Sequence, residues 1–142
     1  MHIREAESKD APDMSRLLQQ LGYPTFDSAA LEKIQDYSKD GYKLFVAESG
    51  ETVIGFISIH WYITLHHPAP IGRITALCVD ERQRKSGIGT SLLERAEDYF
   101  RTVGCFKIEV TSNLKRLETH RYYVQVGYQE MSKHFVKFLD AN

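Results

Sequence analysis

The chain has 142 residues, 42% of them apolar and 26% charged, with a net charge of −1 when histidines are neutral. That length suits a single domain, residues 1–142, able to bury about two-thirds of its unfolded surface. The near balance of charge argues against a dedicated nucleic-acid binder, and no apolar run approaches the roughly 18 residues of a membrane span.

In chain order, His2–Ala6 alternates and reads as a strand, and its charged residues leave no core for a signal peptide. Asp10 is placed to cap a helix that has Pro12 near its start and Met14, Leu17, Leu18 and Leu21 on one face. Gly22-Tyr23-Pro24 stops it. Asp27 or Ser28 can cap a second helix carrying Leu31, Ile34 and Tyr37. Lys43–Glu48, a Ser49-Gly50 turn and Thr52–Trp61 read as a β-hairpin, followed by a loop with His66 and His67. Arg73–Val79 is the next strand. A helix over Gly89–Val103 has Ile88, Leu92, Ala96, Tyr99 and Val103 on one stripe, with Gly104 as its stop. Phe106–Thr111 alternates as a strand, Leu114–Val126 reads as a helix closed by Gly127, and Tyr128–Met131 and His134–Leu139 read as a final strand or strand pair. The order predicts an α/β fold, mostly antiparallel, with one β-α-β crossover.

The two cysteines, Cys78 and Cys105, lie in apolar runs and read as reduced, buried thiols of a cytoplasmic protein. No Cys or His pair has structural-zinc spacing, so no metal is expected.

The stretch Arg82-Gln83-Arg84-Lys85-Ser86-Gly87-Ile88-Gly89 brings three cations and two glycines to the start of a helix. Helix N-terminal amides carry partial positive charge, and glycines let an anion approach them closely. The loop suits a phosphate or pyrophosphate, though the same residues would also serve a tight turn beneath solvated cations. A P-loop is excluded because GxxxxGK[ST] is absent. A dinucleotide fingerprint fails because Leu92 stands where its third glycine belongs.

Arg84-Lys85-Ser86-Gly87-Ile88-Gly89 resembles the Q/R-x-x-G-x-G/A loop of the GCN5-related N-acetyltransferases (GNAT). The resemblance extends to the apolar strand Ile74–Val79, to a strand ending at Asn113, and to Tyr122-Tyr123-Val124-Gln125-Val126-Gly127-Tyr128, which is similar to the family's F-Y-x-x-x-G-F. It covers essentially the whole chain. It implies a GNAT-like sheet flanked by helices, and an enzyme that moves an acetyl group from acetyl-coenzyme A directly to a primary amine of a small molecule or peptide. An acetyl-coenzyme A sensor without turnover and a protein-lysine acetyltransferase are the alternatives.

The resemblance implies that Arg84, Lys85, Ser86, Gly87, Ile88, Gly89 and Thr90 hold the pyrophosphate. It implies that Leu77, Cys78 and Val79 line the pantetheine arm through the strand backbone, and that Asn113 contacts the cofactor beyond. It implies Tyr123 as general acid, whose phenol keeps its proton at neutral pH. The strand before the loop offers no carboxylate as base. Glu48, His60, His66, His67 and Glu109 remain candidates, with His60 preferred. Tyr23, Phe26, Trp61 and Tyr62 would wall an acceptor pocket, cover the core or form a homodimer contact.

Overall fold

The computed structural model describes residues 1–84, 86–111 and 117–140. Two compact units divide the chain, Met1–Val110 and Thr111–Asn142.

The first unit is built on one sheet of order β1-β2-β3-β4-β5. Its strands are β1 (His2–Glu5), β2 (Tyr42–Ser49), β3 (Thr52–Tyr62), β4 (Ile71–Val79) and β5 (Lys107–Val110). The first four pair antiparallel, and β4 pairs with β5 in parallel. The turn between β2 and β3 falls on Gly50-Glu51, one residue later than expected, because Ser49 pairs with Thr52 and Gly50 takes a left-handed φ of 64°.

Helices α1 (Ala11–Leu21) and α2 (Asp27–Asp36) cover one face of the sheet. There Met14, Leu17, Ala30 and Ile34 meet Leu44, Val46, Val53, Phe56 and Cys78 in one buried cluster. Helix α3 (Ile88–Val103) covers the other face and buries Ile88, Leu92, Leu93, Ala96 and Phe100. Tyr99 and Val103, expected on that stripe, are half-buried, and Leu93 and Phe100 take the deeper positions. Close packing there needs Gly72, since a Cβ at this position would sit 2.6 Å from the Phe100 ring.

Capping departs from expectation. Asp10 does not cap α1 with its side chain; the carboxylate accepts from the Glu7 amide at 2.7 Å and from both Arg4 Nη atoms at 2.8 Å. Neither Asp27 nor Ser28 caps α2, because the chain enters that helix one residue earlier, with Phe26 at the N-cap. Gly22 stops α1 in a left-handed conformation, φ 105°.

The second unit contains α4 (Leu117–Gln125), closed by Gly127 at φ 102°. Residues 128–140 form no strand, contrary to expectation. The apolar residues Met131, Phe135, Val136, Phe138 and Leu139 are all exposed, so no face of this segment gains the burial that rewards strand formation. Among the described residues, no helix is long and apolar enough to cross a membrane.

Candidate active site

The sheet opens along β4. Its parallel pairing with β5 runs only from Ile71↔Lys107 to Ile74↔Val110, while β4 itself continues to Val79. Along Thr75–Val79, this edge of β4 therefore has no partner strand among the described residues. Strand amides and carbonyls on such an edge must find other partners.

The opening coincides with a bulge. Ser58 pairs with Ala76 and Ile59 with Ile74, so Thr75 is the extra residue on β4. A bulge bends its strand and re-aims side chains. Here it brings Thr75 Oγ1 to Ser58 Oγ at 2.7 Å, to the Ser58 carbonyl at 3.0 Å and to Tyr37 Oη at 3.3 Å. Cys78 is buried, while Leu77 and Val79 are half-buried beside it.

The loop that follows is strapped to α1. The Asp80 amide donates to the Ile54 carbonyl at 2.8 Å. The buried Asp80 carboxylate accepts from the Arg82 amide at 3.1 Å and from Arg16 Nη1 at 2.5 Å. Arg16 Nη2 also donates to the Val53 carbonyl at 2.8 Å, and Gln20 receives the Glu81 amide at 3.0 Å. The Arg82 amide, opposed by burial and helped by Arg16, holds the Asp80 carboxyl below the usual aspartate range.

Beyond this anchor, Arg84, Ser86 and Gly87 are exposed, and Arg84 Nε donates to the Val79 carbonyl at 3.4 Å. Gly87 is the N-cap of α3, left-handed at φ 84°, with nothing within 4 Å of a would-be Cβ. Gly87 offers no side-chain cap to α3, and the first turn of the helix holds no acidic residue among the described residues. Such a helix start presents amide donors and positive potential. Ile88 is buried as the hydrophobic anchor of that turn, and Gly89 and Thr90 are half-buried. Lys85 and Asn113 lie outside the described residues.

A second group of side chains lies beside the opening. Tyr42 pairs with His60, His60 with Arg73, and Arg73 with Glu109, so these four share the α1/α2 face of the sheet in one row across β2 to β5. Tyr42 stacks on His60 with centroids 5.4 Å apart, and Tyr62 lies 5.8 Å from the same imidazole. Tyr62 Oη donates to Glu109 Oε1, and Lys107 Nζ lies 3.6 Å from Glu109 Oε2. The Glu109 carboxylate holds the Tyr62 phenol proton and pushes its pKa up. Burial, and then the charge of Arg73, push the His60 pKa down. A neutral imidazole is thus held at the last rows before the sheet opens.

The remaining expected residues are elsewhere. Trp61 alternates onto the opposite face of β3 from His60. Tyr23 and Phe26 are exposed in the loop between α1 and α2. Glu48 is held by Arg4 at 3.0 Å, at the β1 side of the sheet. His66 and His67 contact one another at 4.1 Å in the loop after β3, with His67 against Phe106. Tyr123, on α4, is buried in the second unit against Tyr122 and Tyr128, each with centroids 5.5 Å away. Sequence reasoning did not foresee Arg73, Tyr42 or the Asp80–Arg16 strap. The signal for Arg73 is a charged residue inside an otherwise apolar strand.

The fold is shared with solved structures. A transcriptional regulator from Bacillus halodurans superposes with a TM-score of 0.89 at 22% identity, covering 97% of this chain and 99% of that one, which shows the shared fold. The acetyltransferase (GNAT) family model matches residues 10–128. The chain is 32% identical over 142 residues to the aminoalkylphosphonate N-acetyltransferase of Salmonella typhimurium, covering 96% of this chain and 90% of that protein. It is 24% identical over 146 residues to the type 1 aminoglycoside N(6′)-acetyltransferase of Acinetobacter haemolyticus, covering 99% and 100%. The chain belongs to the GNAT acetyltransferase family and is an N-acetyltransferase.

Proposed function

We propose that this enzyme transfers an acetyl group from acetyl-coenzyme A directly to the primary amine of a small molecule. The observation that carries the reading is the β4 edge, open from Thr75 to Val79 and leading straight into the start of α3 at Gly87. A pantetheine arm can pair with such an edge as a strand would, through the backbone of Leu77 and Val79, with Cys78 packed behind. The pyrophosphate then meets the amides of residues 84–90. Gly87 and Gly89 admit it, and Arg84 and Lys85 supply attraction.

In this reading the Leu77 amide donates to the thioester carbonyl oxygen and stabilises the negative charge that develops there. The acceptor reaches the carbonyl from the α1/α2 face, past the row of Tyr42, His60 and Arg73. Neutral His60 takes the proton the amine must lose, directly or through water. The amine nitrogen bonds to the carbonyl carbon, the carbon–sulfur bond breaks, and Tyr123 gives its phenol proton to the departing thiolate. Support for Tyr123 is its motif position. Tyr23 and Phe26, on the exposed α1–α2 loop, are proposed to border the acceptor, whereas Trp61 lies on the face of β3 opposite His60.

Two small-molecule amines, an aminoalkylphosphonate and an aminoglycoside, appear in the relatives' names, which favours a small acceptor over a protein lysine. The free cysteines suit a reducing, cytoplasmic setting. Calorimetry with acetyl-coenzyme A tests the cofactor assignment. The wild type should bind, and a folded Gly89→Glu variant should not, since bulk and like charge then face the pyrophosphate. Equal affinity in both would remove that assignment.

A further inference from the structure

Helix α1 reaches the loop before α3 through a side chain that takes no part in the transfer chemistry. Arg16 is half-buried, and its guanidinium forks, with Nη1 donating to the Asp80 carboxylate at 2.5 Å and Nη2 to the Val53 carbonyl at 2.8 Å. Asp13, one turn earlier on α1 and 3.7 Å from Arg16, accepts from the Val53 amide at 3.0 Å. The two side chains thus grip both backbone polar groups of one β3 residue. Asp80 is 2% exposed, and a buried carboxylate stays charged only with partners that replace its water. Its other contacts are the Arg82 amide at 3.1 Å and the exposed Arg82 guanidinium at 3.7 Å.

From Asp80 the ties run forward along the loop. The Gln83 amide donates to the Asp80 carbonyl at 2.8 Å, and Ser86 Oγ donates to the Gln83 carbonyl. The next residue is Gly87, where α3 begins. The loop is therefore tied down at its β4 end while Arg84, Ser86 and Gly87 stay exposed. A loop that is ordered before its ligand arrives is spared the cost of ordering on binding.

We infer that Arg16 is a positioning residue for acetyl-coenzyme A: through Asp80 it holds the turn 80–83, and with it the amides from 84 onward, in the arrangement the pyrophosphate meets. The inference rests on the cofactor reading above and adds a residue outside the loop motif, 64 positions away in sequence.

Calorimetric titration of coenzyme A into the wild type, Arg16→Gln, Arg16→Lys and the double variant Arg16→Gln/Asp80→Asn tests it. The dissociation constant should rise about 10- to 100-fold in Arg16→Gln, the worth of one charged hydrogen bond. Arg16→Lys keeps a cation within reach of Asp80 and should recover most of that loss. The double variant removes the carboxylate that Arg16→Gln strands, and so guards against a variant that fails to fold. Its affinity should fall as far as in Arg16→Gln and no further, because both changes cut one contact. With an amine that is turned over, KM for acetyl-coenzyme A should rise in Arg16→Gln while kcat at saturating donor stays within about twofold. Full affinity in a folded Arg16→Gln or in the double variant would overturn the inference. So would a loss that Arg16→Lys does not lessen, or a fall in kcat with KM unchanged. A wild type that binds coenzyme A no tighter than Arg16→Gln would overturn the inference alone, whereas a wild type that binds none would overturn the cofactor reading with it.

Discussion

His60 illustrates how a side chain's chemistry is set by neighbours distant in sequence. Its ring is stacked on Tyr42, flanked by Tyr62 and one pair away from Arg73. Burial and the Arg73 charge both disfavour the imidazolium, so the folded protein holds this histidine neutral where a free one would begin to protonate. An NMR titration should therefore place the His60 midpoint below about 6.5, its ordinary value. Arg73→Gln should move the midpoint up. A wild-type midpoint at or above that value would remove the argument for His60 as a base at neutral pH. Tyr123 gives the second residue-level prediction. Tyr123→Phe keeps the ring and its packing and deletes only the proton, and general acid catalysis typically contributes about 10²–10⁴ in rate. The expected loss in kcat is of that size, with acetyl-coenzyme A affinity retained. A loss below about fivefold would make the tyrosine a packing residue. The motif that singles out Tyr123 was legible in the sequence because it is local. The row containing His60 was not, because its members meet only through strand pairing.

At the scale of elements, the strands and helices were readable wherever periodicity and glycine stops agreed. Helix α3 between Gly87 and Gly104 and the β2–β3 hairpin show this. Caps were less legible. Asp10 has an N-cap's residue type, but Arg4 on the neighbouring strand competes for its carboxylate. The segment 128–140 shows the limit of apolar content as a signal, since apolar and aromatic residues make a strand only when a partner and a buried face are available. The opening of the sheet leaves no local signal in the sequence. Its physical cause, a bulge at Thr75 and a parallel ladder that ends at Ile74↔Val110, lies in strand register. Packing of α3 on the sheet yields a direct test. Gly72→Ala would drive a Cβ into the Phe100 ring, from a separation of 2.6 Å, and overpacking of this kind costs about 1–3 kcal/mol. Urea unfolding should show a midpoint lowered accordingly. An unchanged midpoint would mean that Phe100 relaxes freely.

For the whole molecule, two buried carboxylates set the response to acid. Burial alone would raise the Asp10 carboxyl, but Arg4 and the Glu7 amide outweigh it and leave the group lowered; Asp80 is lowered chiefly by the Arg82 amide and by Arg16. Both bind protons more weakly folded than unfolded. Their stabilisation is therefore complete above about pH 3.9, the ordinary aspartate value, and is lost as pH falls through the lower folded values. Unfolding free energy should accordingly decline below about pH 4 on their account. In Arg4→Met the buried Asp10 carboxylate loses its partner, so acid unfolding should begin at higher pH. An onset that stays put would show that the Arg4 pair contributes little.

The proposed function places acetyl-coenzyme A along the β4 edge, beside the start of α3, and has it give its acetyl group to a small amine. The most direct measurement is release of free thiol from acetyl-coenzyme A against a panel of small primary amines, with mass analysis of the products. Saturable turnover with at least one small amine, a product heavier by one acetyl group, and loss of both in Gly89→Glu are expected. Tight binding of acetyl-coenzyme A with no thiol release above the amine-free rate for any acceptor would contradict the proposed function.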